Sequence, residues 1–252
     1  MQKTCNIMGV NIAVTNMDKT VASIRENLEA WRGEYICVSN VHTTVTAYGD
    51  ASYRDIQNGA VMALPDGGPL SSFSRSQGYP EAERVTGPDL MRELLTQSGE
   101  RKWRHYFYGS TPETLELLRE KVEQRYPGAQ IAGMMSPPFR ELSPEEDAEI
   151  VRQINEANPD FVWVGLGAPK QERWMAAHRG RVHALMIGVG AAFDYEAGNI
   201  QRAPVWMQKH NLEWLYRLMQ DPKRLLKRYF STNVRFLLWT WKEKLTGRNR
   251  AK

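Results

Sequence analysis

An α/β fold, with a mostly parallel, doubly wound sheet between flanking helices, is what this sequence predicts, and three observations carry it. Short β-rich runs alternate with helical stretches over most of the chain, the pattern of parallel strands joined by crossover helices. Polar or Gly-rich turns follow several of the runs. At 252 residues and 42% hydrophobic content, the chain buries a full core and is neither disordered nor fibrous.

The elements follow in order. Residues 6–16, with Gly9-Val-Asn11 between apolar residues, predict a hairpin laid beside the sheet. Core strands are expected at 35–39, 60–64, 105–109, 130–134, 160–165 and 183–188. Ser110-Thr-Pro-Glu and Ser143-Pro-Glu-Glu each combine a capping residue, an early proline and acids, and so open helices. Beyond Pro204 the chain predicts helices broken at Asp221-Pro222, with 223–230 and 235–241 mixing Trp, Tyr, Phe and Leu with Lys and Arg.

Charge divides the chain. Residues 201–252 hold 13 Lys/Arg against Glu213, Asp221 and Glu243, a balance of +10 in a chain of +4, so the first 200 residues carry −6. We therefore expect an α/β catalytic domain over 1–200 and a basic, amphipathic helical appendage over 201–252 that seeks phosphate. An amphipathic helix in a membrane interface fits this mixture, its rings at headgroup depth and its cations on anionic lipid. A terminal helix packed on the sheet fits the same spacing, as does packing between subunits of a homo-oligomer. No run of about 18 apolar residues exists to span a bilayer. Cys5 and Cys37 have no metal-ligand spacing, and no charged segment followed by an apolar run opens the chain. The expected place is the cytoplasm, peripheral on the inner face of the membrane. Nucleic acid is not expected as a partner, because no helix-turn-helix, zinc or RNP-type signature accompanies the basic tail.

Ligands of doubly wound sheets bind at strand ends and helix N-termini. Asp66, in Pro65-Asp-Gly-Gly68, suits a turn aspartate and a general base equally. Arg84 precedes the helix start at Gly87-Pro88 and reads as a phosphate contact or as a solvated arginine. Lys170 and Gln171 stand in the first helical turn after Gly165-Leu-Gly167, within reach of sugar or phosphate. Asp194 closes Gly188-Val-Gly-Ala-Ala-Phe-Asp194; it reads as a ligand contact, or as a helix cap charge-paired with Arg202 to hold the tail. The glycine patterns lack the dinucleotide fingerprint and the P-loop Gly-Lys-Ser/Thr, so no cofactor is expected. No Asp-x-Asp or histidine cluster predicts a metal.

Pro-Asp-Gly at 65–67, Arg-Val-Thr-Gly-Pro-Asp at 84–89, Gly-Leu-Gly-Ala-Pro-Lys-Gln-Glu at 165–172 and Gly-Val-Gly-Ala-Ala-Phe-Asp at 188–194 are followed by Arg-Ala-Pro-Val-Trp-Met-Gln at 202–208 and Leu-Glu-Trp-Leu-Tyr-Arg at 212–217. With these motifs in this order the chain resembles the WecG/TagA/CpsF family of bacterial glycosyltransferases. The resemblance implies a Rossmann-like body and metal-independent, inverting transfer of N-acetylmannosamine, its uronic acid or a related hexose from a UDP-sugar donor. The implied acceptor is an undecaprenyl-diphosphate-linked sugar, in cell-surface polysaccharide assembly. It implies roles as well: Asp66 as base, Asn40 on substrate, Arg84 on phosphate, Gln171 in the donor pocket, and Arg217, Arg224 and Arg228 as appendage arginines that complete the site. A protein that binds nucleotide sugars or lipid headgroups without transfer is the alternative.

Overall fold

Six parallel strands in the order β4-β3-β8-β7-β5-β6 carry the molecule. They are β3 (Tyr35–Ser39), β4 (Met62–Pro65), β5 (Arg104–Gly109), β6 (Gln130–Met135), β7 (Phe161–Gly165) and β8 (Leu185–Gly188). The computed structural model describes residues 2–210 and 212–246, with side chains at all of them except 209, 224, 227, 228 and 244–246. A separate antiparallel hairpin, β1 (Thr4–Ile7) and β2 (Val10–Ala13), turns through Met8 and Gly9, both at positive φ. Asn58 pins it to the body, accepting from the Asn11 N–H and donating to the Gly9 carbonyl, both at 2.9 Å.

Alternation of side chains across each strand builds two cores. Tyr35 and Cys37 of β3, Tyr106 and Tyr108 of β5 and Val162 and Val164 of β7 face one side. Ile36 and Val38, Phe107, and Phe161 and Trp163 face the other. Helices cover both faces: α2 (Val41–Gly49), α3 (Ala51–Gly59), α7 (Pro144–Glu156) and α8 (Lys170–Ala177) supply the first core, while α1 (Met17–Asn27), α5 (Gly87–Arg101), α6 (Pro112–Arg125) and α9 (Ala192–Ala197) supply the second. Between β4 and α5 runs α4 (Gly68–Ser76). The expected helix openings are present, with Thr111 as N-cap of α6 and a Ser143–Glu146 capping box on α7.

Two strand limits differ from expectation for local reasons. β4 runs on to Pro65, which stays in register with Ser39. β8 starts at Leu185, because the His183 N–H leaves the ladder for Asn155 Oδ1 at 2.8 Å.

The C-terminal helices are α10 (Val205–Lys209), α11 (Glu213–Gln220) and α12 (Pro222–Thr246), the last a single helix where two pieces were expected. Leu225, Thr232 and Phe236 of α12 are buried, and Trp239 leans on Phe73 of α4 with ring centroids 5.2 Å apart. Leu226, Phe230, Leu237, Leu238 and Trp241 form a second apolar face and are exposed. Both readings of the tail thus hold part of the truth, since one stripe packs and another does not. No helix among the described residues is long and apolar enough to cross a membrane.

Candidate active site

All six strands of the sheet point the same way, so their C-terminal ends share one rim, and most of the expected residues meet there. Asp66 leaves β4 directly, its N–H donating to the Ser39 carbonyl of β3 at 2.7 Å. Gly67 follows at φ 96°, a conformation that turns the chain into α4 and that a side chain would strain. The Asp66 carboxyl is half-buried. Burial and the nearby Glu213 carboxylate push its pKa up to about 6, against the pull of Arg84, Arg217 and a hydrogen bond from Asn40.

Asn40 caps α2, its side chain accepting from the Thr43 N–H at 3.2 Å. The same amide reaches Asp66, so in this state Asn40 orients the carboxylate that it stands beside. Arg84, expected on phosphate, donates Nη1 to Glu213 Oε2 at 2.7 Å. Arg217 lies one helical turn beyond Glu213, its guanidinium 5.6 Å from the Tyr195 ring centre. Its Nε is buried with no hydrogen-bond partner among the described residues, which leaves a donor for an anion.

Gln171 is placed as expected at the rim but is occupied otherwise. It is buried, its Oε1 accepts from the Gly190 N–H at 3.0 Å, and its Nε2 donates to Glu172 Oε1 at 2.9 Å. It therefore acts on the turn after β8. Gly188 makes room for it, since a Cβ there would sit 3.1 Å from Gln171 Nε2. A chain of buried polar groups continues beneath. Glu172, its pKa raised by burial, meets Tyr53. Gln57 Nε2 donates to Tyr53 OH at 3.0 Å, and Ser39 Oγ donates to Gln57 Oε1 at 2.5 Å. One network thus joins the turn after β8 to the end of β3, the residue before Asn40.

Three expectations come out differently. Asp194 is neither a cap nor the partner of Arg202; it lies within α9, whose N-cap is Ala191, with Asn199 Nδ2 at 3.5 Å. Arg202 does fasten the C-terminal helices, but through Asp89 at 2.5 and 2.7 Å and Glu213 at 3.3 Å. Asp89 is well placed for this because Thr86 caps the start of α5 and donates to its carboxylate. Lys170 is exposed at the start of α8, and no hydrogen bond or ion pair ties it to these groups. The side chains of Arg224 and Arg228 lie outside the described residues.

Glu213, Tyr195 and the Glu172–Tyr53–Gln57 network were not expected at the site. A signal for Glu213 was present, because it precedes Arg217 by four residues on one helix and so shares its face. No group of three or more His, Cys, Asp or Glu that could hold a metal ion occurs among the described residues. The rim thus offers one carboxylate of raised pKa set among arginines, an arrangement that takes a proton beside bound anionic groups.

Comparison with known proteins agrees with this chemistry. A protein of Bacillus subtilis (strain 168) named N-acetylglucosaminyldiphosphoundecaprenol N-acetyl-beta-D-mannosaminyltransferase is 34% identical over 193 residues, 76% of this chain and 73% of that protein. A protein of the same name from Staphylococcus aureus (strain MW2) is 30% identical over 223 residues, 87% of this chain and 86% of that protein. The profile of the Glycosyl transferase WecG/TagA/CpsF family matches residues 5–250, and with the Asp66 site on the rim of its parallel sheet the chain belongs to that family of hexosyl-transferring glycosyltransferases.

Proposed function

We propose that the protein moves N-acetylmannosamine or a related hexose from a UDP donor onto an undecaprenyl-diphosphate-linked N-acetylglucosamine, with inversion, without a metal, and with Asp66 as base. The observation that carries this reading is the Asp66 carboxyl on the rim, held by Asn40 between Arg84 and Arg217 and pushed up to about 6. The relatives' printed names support the acceptor and the sugar.

In this reading Asp66 takes the proton of the attacking acceptor hydroxyl while its oxygen bonds the donor's anomeric carbon from the face opposite the leaving group. The bond from that carbon to the diphosphate oxygen breaks, and UDP leaves with the electron pair. A base with a pKa near 6 is ionised at neutral pH yet more basic than an ordinary carboxylate. Arg84 and Arg217, joined by Arg224 and Arg228, balance the phosphate charge that a metal carries in other transferases. Asp194 and Lys170 line the approach of the donor.

The reading places the enzyme on the inner face of the cell membrane. Residues 201–252 act as an appendage whose exposed Leu226, Phe230, Leu237, Leu238 and Trp241 enter the interface while its basic residues meet anionic headgroups.

The test is UDP release from a panel of UDP-sugars with a short-chain lipid-diphosphate N-acetylglucosamine, in EDTA. Acceptor-dependent release by the native protein is expected, with Asp66→Asn slower by roughly 10²–10⁴. Equal turnover by the two proteins overturns the base, and loss of native turnover in EDTA overturns metal independence.

A further inference from the structure

Glu213 is an awkward residue for the site it occupies. A second carboxylate repels charge on Asp66 and takes up Arg84, whose natural use beside a diphosphate is to bind phosphate. Yet it is built in from both sides. Its Oε2 accepts from Arg84 at 2.7 Å, its Oε1 accepts from Arg202 at 3.3 Å, and Arg202 is clamped in turn on Asp89 by two bonds. The side chains of Glu213 and Arg84 are each only 19% exposed, so the pair is largely shielded from solvent and holds its geometry.

The physical alternative shows what this arrangement does. Asp66 is faced by Arg84 from the turn before α5, by Glu213 and Arg217 from α11, by Asn40 from α2 and by Tyr195 from α9. With Glu213 neutral, Arg84 has Asp66 as its remaining nearby anion. An arginine paired directly with a carboxylate stabilises the charged form and makes a poor base of it. Resting on Glu213, Arg84 stays at the rim without neutralising Asp66.

We propose that Glu213 is a positioning residue that holds Arg84 away from Asp66 and fastens α11 to the body, so that the base and the phosphate-binding arginines coexist in one pocket. The proposal rests on the reading of Asp66 as base, and the experiment separates the two. The acid limb of the pH profile of kcat/KM is measured for the native enzyme, Glu213→Gln, Glu213→Asp, and the double variant Glu213→Gln with Arg84→Met, with Asp66→Asn as reference.

The native limb is expected near pH 6 and absent in Asp66→Asn. Glu213→Gln moves it down by about one pH unit, and the plateau falls about tenfold as the base weakens. Glu213→Asp keeps the charge but has a shorter reach, and shifts the limb partway in the same direction. Removing the arginine in the double variant brings the limb back up, a rescue that a merely structural role does not provide. Because the position of the limb does not depend on how much protein is folded, a less stable variant still reports it. A limb that stays in place in both single variants overturns the proposal and leaves the base standing. A native acid limb that persists in Asp66→Asn overturns the base itself.

Discussion

The sheet body and the C-terminal helices are held in different ways. Within the body, even polar groups are sealed into pairs: Trp163 Nε1 donates to His105 Nδ1 at 3.0 Å, and His105 Nε2 meets Ser98 Oγ at 2.7 Å. The first contact requires His105 to carry its proton on Nε2, and burial lowers its pKa to about 3. By contrast α11 buries no residue fully and is fastened through Glu213, while α12 buries one stripe and exposes another. Apolar burial orders the body, and charge places the helix that faces Asp66. Ionic fastening is weaker and responds to salt and pH, so the pocket joins a rigid half to a yielding one.

Substitutions can break that contrast. The largest effect is expected at Trp163→Ala, which opens a cavity under the sheet and strips His105 of its donor. It costs about 4 kcal/mol or more, seen as a large fall in melting temperature with loss of all activity. Phe236→Ala on α12 is expected to cost less, about 2–3 kcal/mol, because the neighbouring surface collapses more readily. Its sharper signature is early protease cleavage of the C-terminal helices while the body still melts cooperatively.

Asp66→Asn sharpens the comparison from the other side. With a folded-state pKa of about 6 against 3.8, the folded protein binds this proton more tightly than the unfolded chain does. The ionised group therefore costs stability as pH rises from about 4 to 6. The variant is expected to gain about 1 kcal/mol above pH 6 and nothing below pH 4, measured by denaturant melts across that range. A gain independent of pH breaks the assignment. Smallest in stability is the triple change Leu237→Ser, Leu238→Ser and Trp241→Ser on the exposed face of α12. It is expected to stay within about 0.5 kcal/mol per site of the native protein while sedimentation with anionic vesicles falls at least tenfold. Unchanged sedimentation contradicts the interfacial role.

Much of the fold was legible in the sequence because its signals are local. Alternating apolar runs mark strands buried on both faces, and Thr111 and Ser143 announce their helices by capping. The misjudged limits at Pro65 and His183 depend on partners distant in sequence. The site divides in the same way. Asp66, Asn40, Arg84 and Arg217 stand in motifs and converge as expected. The position of Gln171 was readable but its role was not, because its amide is claimed by the Gly190 N–H, 19 residues on, and by its neighbour Glu172. Glu213 acquires meaning only through Arg84, 129 residues away, and Arg202 through Asp89, 113 residues away. No window of adjacent residues carries either fact.

That long-range pairing bears on how the enzyme comes into being. Strands β3 and β4, which carry Asn40 and Asp66, are synthesised early, whereas the partner that keeps Arg84 in place stands at position 213. During translation the body can collapse around its sheet with the base present and its arginine unrestrained. A chain at that stage is a folded but inactive transferase, and it becomes competent only when α11 emerges and docks. The ion pairs at Glu213 thus act as a completion check, tying the first moment of catalysis to the arrival of the helices that follow.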